Sequence, residues 1–320
     1  MFQEASNTHN YFTVGFYNLE NLFDTVDDPK TLDDDFTAEA SKKWNDKRLQ
    51  KKLRKLGKVI SKLGYKEIGH PPVILGVAEV ENSNVLEQLA HSKHLKEKQY
   101  GYVHFDSPDE RGIDTALLYR KDYFSVKNKE AHSLYVENEL GERDFTRDIL
   151  HVYGILGGMP LHVLVNHWPS RRQGTEETSY KRVKAAQKNL EIVQEILKGE
   201  PEARILIMGD FNDDPHSKSV KTLTSDNFYN PMELLLTRES GSLGHRYAWH
   251  LFDQIIVSHN FLKGHDNKFQ FKTARIYKPK NIQEYKGGYK GFPFRTYVGT
   301  KYRGGFSDHF PVYAIFSIGK

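Results

Sequence analysis

Six short apolar runs in this 320-residue chain each stop at an amide, a carboxylate or an imidazole. Residues 14–17 run into Asn18, residues 73–78 into Glu79, and residues 163–165 into Asn166-His167-Trp168-Pro169. Residues 205–208 run into Gly209-Asp210-Phe211-Asn212, Leu251-Phe252 precedes Asp253, and Asp308-His309 stands just before the last apolar run. Runs of this length and character are those of buried strands, and an α/β sheet presents its ligands at strand ends. One such junction is an ordinary turn, since Asp and Asn start and cap turns. Six junctions bearing this set of residues point to a single converging site.

The full set of predicted strands covers residues 13–17, 73–78, 115–119, 161–165, 204–208, 254–257 and 311–316. Helical spacing of Trp44, Leu49, Leu53, Leu56, Ile60 and Leu63 predicts a helix over 42–63. A second helix is predicted over 176–197 from Val183, Ala186, Leu190, Val193 and Leu197, stopped by Gly199 and Pro201. No composition break, repeat or low-complexity linker divides the chain, so residues 1–320 read as one layered α/β domain, sheet inside and helices outside. No apolar run reaches the roughly eighteen residues of a membrane-spanning helix, so no transmembrane segment is expected. The opening MFQEASNTHN lacks the basic and apolar regions of a secretory leader, which leaves the compartment open.

Cysteine is absent, so thiolate sites and cysteine nucleophiles are excluded. A metal must then sit on carboxylate, amide or imidazole, which suits hard cations such as Mg²⁺, Mn²⁺ or Ca²⁺. Carboxylates Glu79 and Asp308 could hold such an ion through oxygen. His167 and His309 could donate to a phosphate or move protons near neutral pH. Asp253 could orient an imidazole, while Asn18 and Asn212 add neutral hydrogen bonds. Asp210 and Asn212, two residues apart after a strand, fall on one side of the backbone. Metal, proton carriers and phosphate donors together are the parts of phosphoester hydrolysis.

Charge is distributed unevenly. Residues 42–62 carry ten basic side chains against Asp46, and residues 263–303 carry eleven against Asp266 and Glu284. The second segment interleaves Phe269, Phe271, Tyr277, Tyr285, Tyr289, Phe292, Phe294, Tyr297 and Tyr302. It is either a surface for phosphates and stacked bases or a long loop packing its own aromatics. The lysine-rich helix reads first as a solvated face. Net charge is only +4, weak support for a polyanionic partner.

The blocks Phe16-Tyr17-Asn18-Leu19-Glu20, Gly76-Val77-Ala78-Glu79-Val80, Asn166-His167-Trp168-Pro169, Gly209-Asp210-Phe211-Asn212, Phe252-Asp253-Gln254-Ile255 and Ser307-Asp308-His309-Phe310-Pro311 resemble the signatures of the endonuclease/exonuclease/phosphatase superfamily, in the family's order. That group includes pancreatic-type deoxyribonucleases, apurinic-site endonucleases, neutral sphingomyelinases and inositol phosphatases. The resemblance implies a four-layer α/β sandwich, two packed mixed β-sheets flanked by helices. It implies a catalytic Mg²⁺ or Mn²⁺ on Glu79 with Asn18 and Asp308 near it, and Ca²⁺ as an additional structural ion. His309, paired with Asp253, would activate water or contact the phosphate. Asp210 and Asn212 would position the nucleophile, and His167 would protonate the leaving oxygen. Arg147 and Asn166 would contact substrate.

Some positions stay open. Glu20 is either a second metal-contacting acid or a surface charge, and Asp106 either orients His167 or forms a turn. Asp114, at a strand edge, is a further candidate for the site. His9, His70, His91, His94 and His132 have no supporting context and read as surface or satisfied core residues. The expectation is a monomeric metal-dependent hydrolase of phosphoesters, a nuclease or phosphodiesterase first, with DNA or RNA as candidate substrate. A phosphomonoesterase or phospholipase of inositol phosphate or sphingomyelin type is the alternative, ahead of a non-catalytic nucleic-acid-binding relic.

Overall fold

The computed structural model describes residues 9–138, 140–262 and 268–319. The predicted basic segment's first residues, 263–267, and the opening residues 1–8 lie outside this set. In chain order the main strands begin with β1 (His9–Leu22), β2 (Ile74–Val80), β3 (Tyr100–His104) and β4 (Asp114–Arg120). They continue with β5 (Phe124–His132), β6 (Ile149–Leu156), β7 (Met159–His167) and β8 (Ile205–Asp210). The last four are β9 (Phe228–Tyr229), β10 (Asp253–Ser258), β11 (Phe269–Ile276) and β12 (Val312–Gly319). Three helices matter here: α1 (Asp46–Ile60), α2 (Ser83–Ala90) and α3 (Ser179–Gly199).

These strands form two six-stranded sheets, ordered β11-β12-β1-β2-β4-β3 and β9-β10-β8-β7-β6-β5. Each sheet has a single parallel pair at its centre, β1 with β2 and β7 with β8, flanked by antiparallel neighbours. The consequence for function is directional. Both parallel pairs end at one edge, and β10 and β12, running the other way, begin there. Asn18, Glu79, His167, Asp210, Asp253 and His309 all come from that edge.

The sheets pack face to face through Val14, Phe16, Leu117, Val152, Val163, Val165, Met208 and Ile255. Outside the first sheet, α1 and α2 cover Tyr17, Leu75, Val77 and Leu118. Outside the second, α3 covers Leu164, Ile205 and Ile207 with Ala185, Ala186 and Val193. This is the expected α/β sandwich: helix, sheet, sheet, helix. Among the described residues, no helix is long and apolar enough to cross a membrane.

All seven predicted strands fall within or overlap observed ones, and α1 and α3 occupy most of the two predicted helices. Helix α1 starts later than residue 42 because Asn45 caps it, accepting a hydrogen bond from the Arg48 backbone N–H at 3.2 Å. Trp44 instead packs in the core and donates from Nε1 to the Phe23 carbonyl at 3.1 Å. Strand β5 went unread because it is an edge strand carrying Lys127, Asn128, Lys129 and Glu130. Edge strands are polar for a reason: charge discourages further pairing.

Glu81, just past β2, accepts from the Asp24 backbone N–H, and burial together with Asp24, Asp33 and Asp28 pushes its carboxyl up to about 8. A raised acid binds its proton more tightly in the folded chain, so its penalty is nil at pH 4 and grows as pH rises to about 8. Glu81→Gln is therefore expected to stabilise by roughly 1–3 kcal/mol at pH 8.5 and by nothing measurable at pH 4. Denaturant midpoints at the two pH values check this; an equal effect at both would refute it.

Candidate active site

Asp210 lies at the centre of the strand-end cluster. Its Oδ2 accepts from the Asn18 amide at 3.0 Å, a bond that joins the first sheet to the second. Its Oδ1 accepts from the Asn212 backbone N–H at 2.9 Å. The Nε2 atoms of His167 and His309 each stand 3.9 Å from Oδ2. Gly209 makes this placement possible, because a Cβ there would lie 2.3 Å from the Asn166 carbonyl oxygen on the neighbouring strand. Burial pushes the Asp210 carboxyl up to about 6, against the opposing pull of His309.

The two histidines are driven in opposite directions. Burial pulls His309 down, but Asp253, Asp210 and Asp308 outweigh it and hold the imidazole well above its ordinary value. Asp253, fully buried, accepts at 2.7 Å from His309 Nδ1. His167 is held well below its ordinary value by burial and then by Arg147, Arg111, His309 and Arg172. Its Nδ1 is buried without a hydrogen-bond partner. One imidazole is thus a fixed cation and the other neutral near pH 7.

Backbone conformation reinforces the geometry. Glu20, Asn21, Glu79 and Asn212 all take left-handed φ, between 48° and 60°. Such non-glycine residues are uncommon and gather where structure is over-determined. Asn18 sits at a bulge inside β1, not at its end, because β1 resumes pairing at Leu22. Glu79 Oε2 accepts from the Asn21 N–H at 2.8 Å, and Arg111 Nη2 stands 3.8 Å from Oε1.

A cleft of about 630 Å³ opens over these groups. Glu79, His167, Asp210, Asn212 and His309 line it, with Arg111, Arg171, Arg172, Arg246 and His250 around them. Arg171 is clamped: Nε donates to the Asn212 carbonyl at 2.7 Å, and its guanidinium lies over the Phe252 ring. A second cavity of about 540 Å³ shares His245 and Arg246 with the first and reaches Asp308. Lys286, Tyr289, Phe292 and Arg303 line it.

A profile of the endonuclease/exonuclease/phosphatase family matches residues 13–317. The chain belongs to that family. Among solved structures, a humanized D. rerio TDP2 aligns at 16% identity and TM-score 0.58, over 96% of this chain and 98% of that one. A Bacteroides thetaiotaomicron mannosyl-6-phosphatase aligns at 17% and 0.57, over 95% and 98%. The human Nocturnin catalytic domain with bound sulfate aligns at 17% and 0.57, over 97% of each chain. These likenesses share the fold across its length. No curated protein sequence gave a significant match.

Of the residues singled out for this family member, Asn18, Glu79, His167, Asp210, Asn212, Asp253, Asp308 and His309 gather around the cleft or directly beneath it. Arg147 is placed elsewhere. Its guanidinium is buried and spent on Asp109 at 2.8 Å and on the carbonyls of His167 at 3.2 Å and Trp168 at 2.7 Å. It clamps the loop that carries His167. Asn166 likewise faces α3, exchanging amide hydrogen bonds with Asn189 at 3.1 and 2.7 Å and accepting from Trp168 Nε1 at 2.9 Å.

Glu20 is a buried acid, accepting from the Thr296 N–H at 2.6 Å and approached by Lys52 Nζ at its own carbonyl. Burial and Asp308 push its carboxyl up to about 7. Asp106 lies beside His104 rather than His167, and Asp114 accepts from His104 Nε2 at 3.0 Å. Both belong to a separate cluster. Sequence reading passed over Arg111, Arg171, Arg172 and Arg246; the Arg171-Arg172 pair lies one residue beyond the Asn166–Pro169 block, which was a usable signal.

The donor chemistry suits a hard divalent cation. Glu79, Asn18 and Asp308 offer oxygen only, and the surplus of buried acid raises both Glu20 and Asp210. Asp308 is also paired to Arg295 at 2.7 Å. The tighter group of Asp210, Asp253 and His309 is already satisfied by the imidazolium.

Removing Arg147 strands the buried Asp109 charge, so Arg147→Met is expected to cost about 3–5 kcal/mol of stability. Chemical denaturation measures it. A variant of unchanged stability with only a raised KM would restore Arg147 as a substrate contact.

Proposed function

We propose that this chain is a divalent-metal-dependent phosphodiesterase that cleaves nucleic acid by in-line attack of water, working as a monomer and as one catalytic unit across residues 1–320. The observation that carries the reading is Asp210, fixed between two imidazoles under a cleft lined with arginines, with an aromatic cavity beside it that shares His245 and Arg246. A monoester needs one phosphate pocket. Two neighbouring cavities, one cationic and one with Tyr289 and Phe292, suit a phosphate flanked by a base. One fold neighbour, a D. rerio TDP2 with a single-strand DNA product, supports this reading, whereas another, a mannosyl-6-phosphatase, stands on the side of the monoesterase alternative.

Glu79, Asn18 and Asp308 would hold Mg²⁺ or Mn²⁺, which when bound supplies Lewis acidity at the phosphoryl oxygen. Asp210, held by Asn18 and Asn212, accepts a hydrogen bond from the attacking water, orients it and takes its proton as the new P–O bond forms and the bond to the leaving oxygen breaks. His309, kept cationic by Asp253, donates from Nε2 to a phosphoryl oxygen as negative charge develops. His167 starts neutral because burial, and after it the arginines, hold its imidazole down; the negative charge of an entering phosphate opposes both and lets it carry a proton to the leaving oxygen. Arg111, Arg172 and Arg246 draw the substrate in.

The test is a panel of plasmid DNA, single-stranded DNA, an abasic-site duplex, bis-p-nitrophenyl phosphate, an inositol polyphosphate and sphingomyelin, with Mg²⁺ or Mn²⁺ and chelator controls. Metal-dependent cleavage of DNA is expected, falling about 10²–10⁴-fold in His309→Ala and in Asp210→Asn. Turnover of the inositol or lipid substrate alone would reassign the substrate class. No turnover of any member by a folded, metal-binding protein would favour the relic.

A further inference from the structure

A second group of metal-ligating side chains lies on the opposite face of the second sheet. Residues 162, 164 and 166 of β7 face α3, whereas 163, 165 and 167 face the other way, since alternate side chains along a strand take opposite faces. His162 therefore stands on the face that His167 does not use. In β6, His151 shares that face with Ile149, which packs with the α3 layer. In β5, Glu130 pairs directly with His151 in the antiparallel register, and His132 follows two residues on, hence on the same face.

The register thus builds a row of imidazoles across three strands. The ring centroids of His132 and His151 are 5.9 Å apart and those of His151 and His162 are 5.2 Å apart, both stacked. His151 Nε2 lies 2.9 Å from His162 Nδ1, so one ring nitrogen of His151 is oriented by a neighbour while the other is left for a ligand. His162 is steadied in turn by Glu200, at 3.5 Å from its Nε2. His132 Nε2 is buried and makes no hydrogen bond, with Glu130 Oε2 3.6 Å away. Ligand atoms of Glu130, His132 and His151 all fall within 4.8 Å of one another.

We propose that Glu130, His132 and His151 form a second metal site, distinct from the catalytic one, for a borderline divalent ion of the zinc type. Two imidazoles and one carboxylate make a nitrogen-rich set that favours Zn²⁺, Ni²⁺ or Cu²⁺ over Mg²⁺. Three protein ligands leave a fourth position for water, and exposed Glu130 gives the ion a way in. His162 supplies the outer hydrogen bond that usually fixes a ligating histidine. Lys188, near His132, is the opposing charge, and it is itself paired to Glu191 at 3.1 Å. The bound ion would pin edge strand β5 to β6.

The test titrates ZnCl₂ by calorimetry into chelator-stripped full-length Glu79→Gln protein with millimolar Mg²⁺ present, so that the catalytic site is disabled and competed. One equivalent of zinc is expected to bind, and adding His132→Gln or Glu130→Gln is expected to weaken it at least about tenfold. Zinc should raise the Tm of the parent and leave that of the His132→Gln variant unmoved. Absence of zinc binding, or equal affinity and equal Tm rise with and without His132, would overturn the proposal.

Discussion

One hydrogen bond, from the Asn18 amide to the Asp210 carboxylate at 3.0 Å, ties the two sheets together at their functional edge. Its existence depends on strand direction. β1 and β8 belong to the parallel pairs of different sheets, so their C-terminal stretches meet only if the sheets pack with those edges aligned. The core between them, from Val14 to Ile255, fixes that alignment. Everything near Asp210 then follows from local backbone: the bulge that holds Asn18, the left-handed turn at Asn212, and the gap that only Gly209 can fill.

One set of buried carboxylates has its charge met by fixed partners: Asp253 by His309, Asp109 by Arg147, Asp213 by Arg182 at 2.8 Å. Breaking such a pair leaves a bare buried charge, which costs more than the pair contributes. Asp210 and Glu20 are buried as deeply, and burial raises them to about 6 and about 7 against the partial pull of His309 and Lys52. Uncompensated acid beside a row of arginines is poised for ligands of both signs, a cation on the carboxylates and a phosphate on the guanidinium groups.

Strand positions and most of the converging residues were legible in the sequence because both depend on one local signal, an apolar run ending in a polar residue. Arg147 shows where that signal stops. Nothing in Phe145-Thr146-Arg147-Asp148 reveals that Asp109, 38 positions away, takes the guanidinium. Asn166 is the same case, its partner Asn189 lying on a helix 23 residues on. β5 was hidden because edge strands lack apolar alternation. His132 carried little context in one dimension, since Glu130 stands two residues before it but His151 becomes its neighbour only through register.

The basic and aromatic segment resolves into two parts, and the division bears on charge. Phe269 and Phe271 pack in the core between the sheets, while Phe294 and Tyr302 pack with the first sheet's helix layer. There the lysine-rich helix meets them: Lys55 lies 5.4 Å from the Phe294 ring centre and Arg48 lies 4.3 Å from that of Tyr302. Two features that looked like separate polyanion surfaces therefore partly satisfy each other through cation–π contacts. What remains is smaller and better placed. Tyr289 stacks on Tyr247 with ring centroids 4.9 Å apart, beside Arg246, where the cationic cleft and the aromatic cavity join. A modest net charge is then no argument against a phosphate-bearing ligand, because the attraction is concentrated at one junction and part of the remaining basic surface is already engaged.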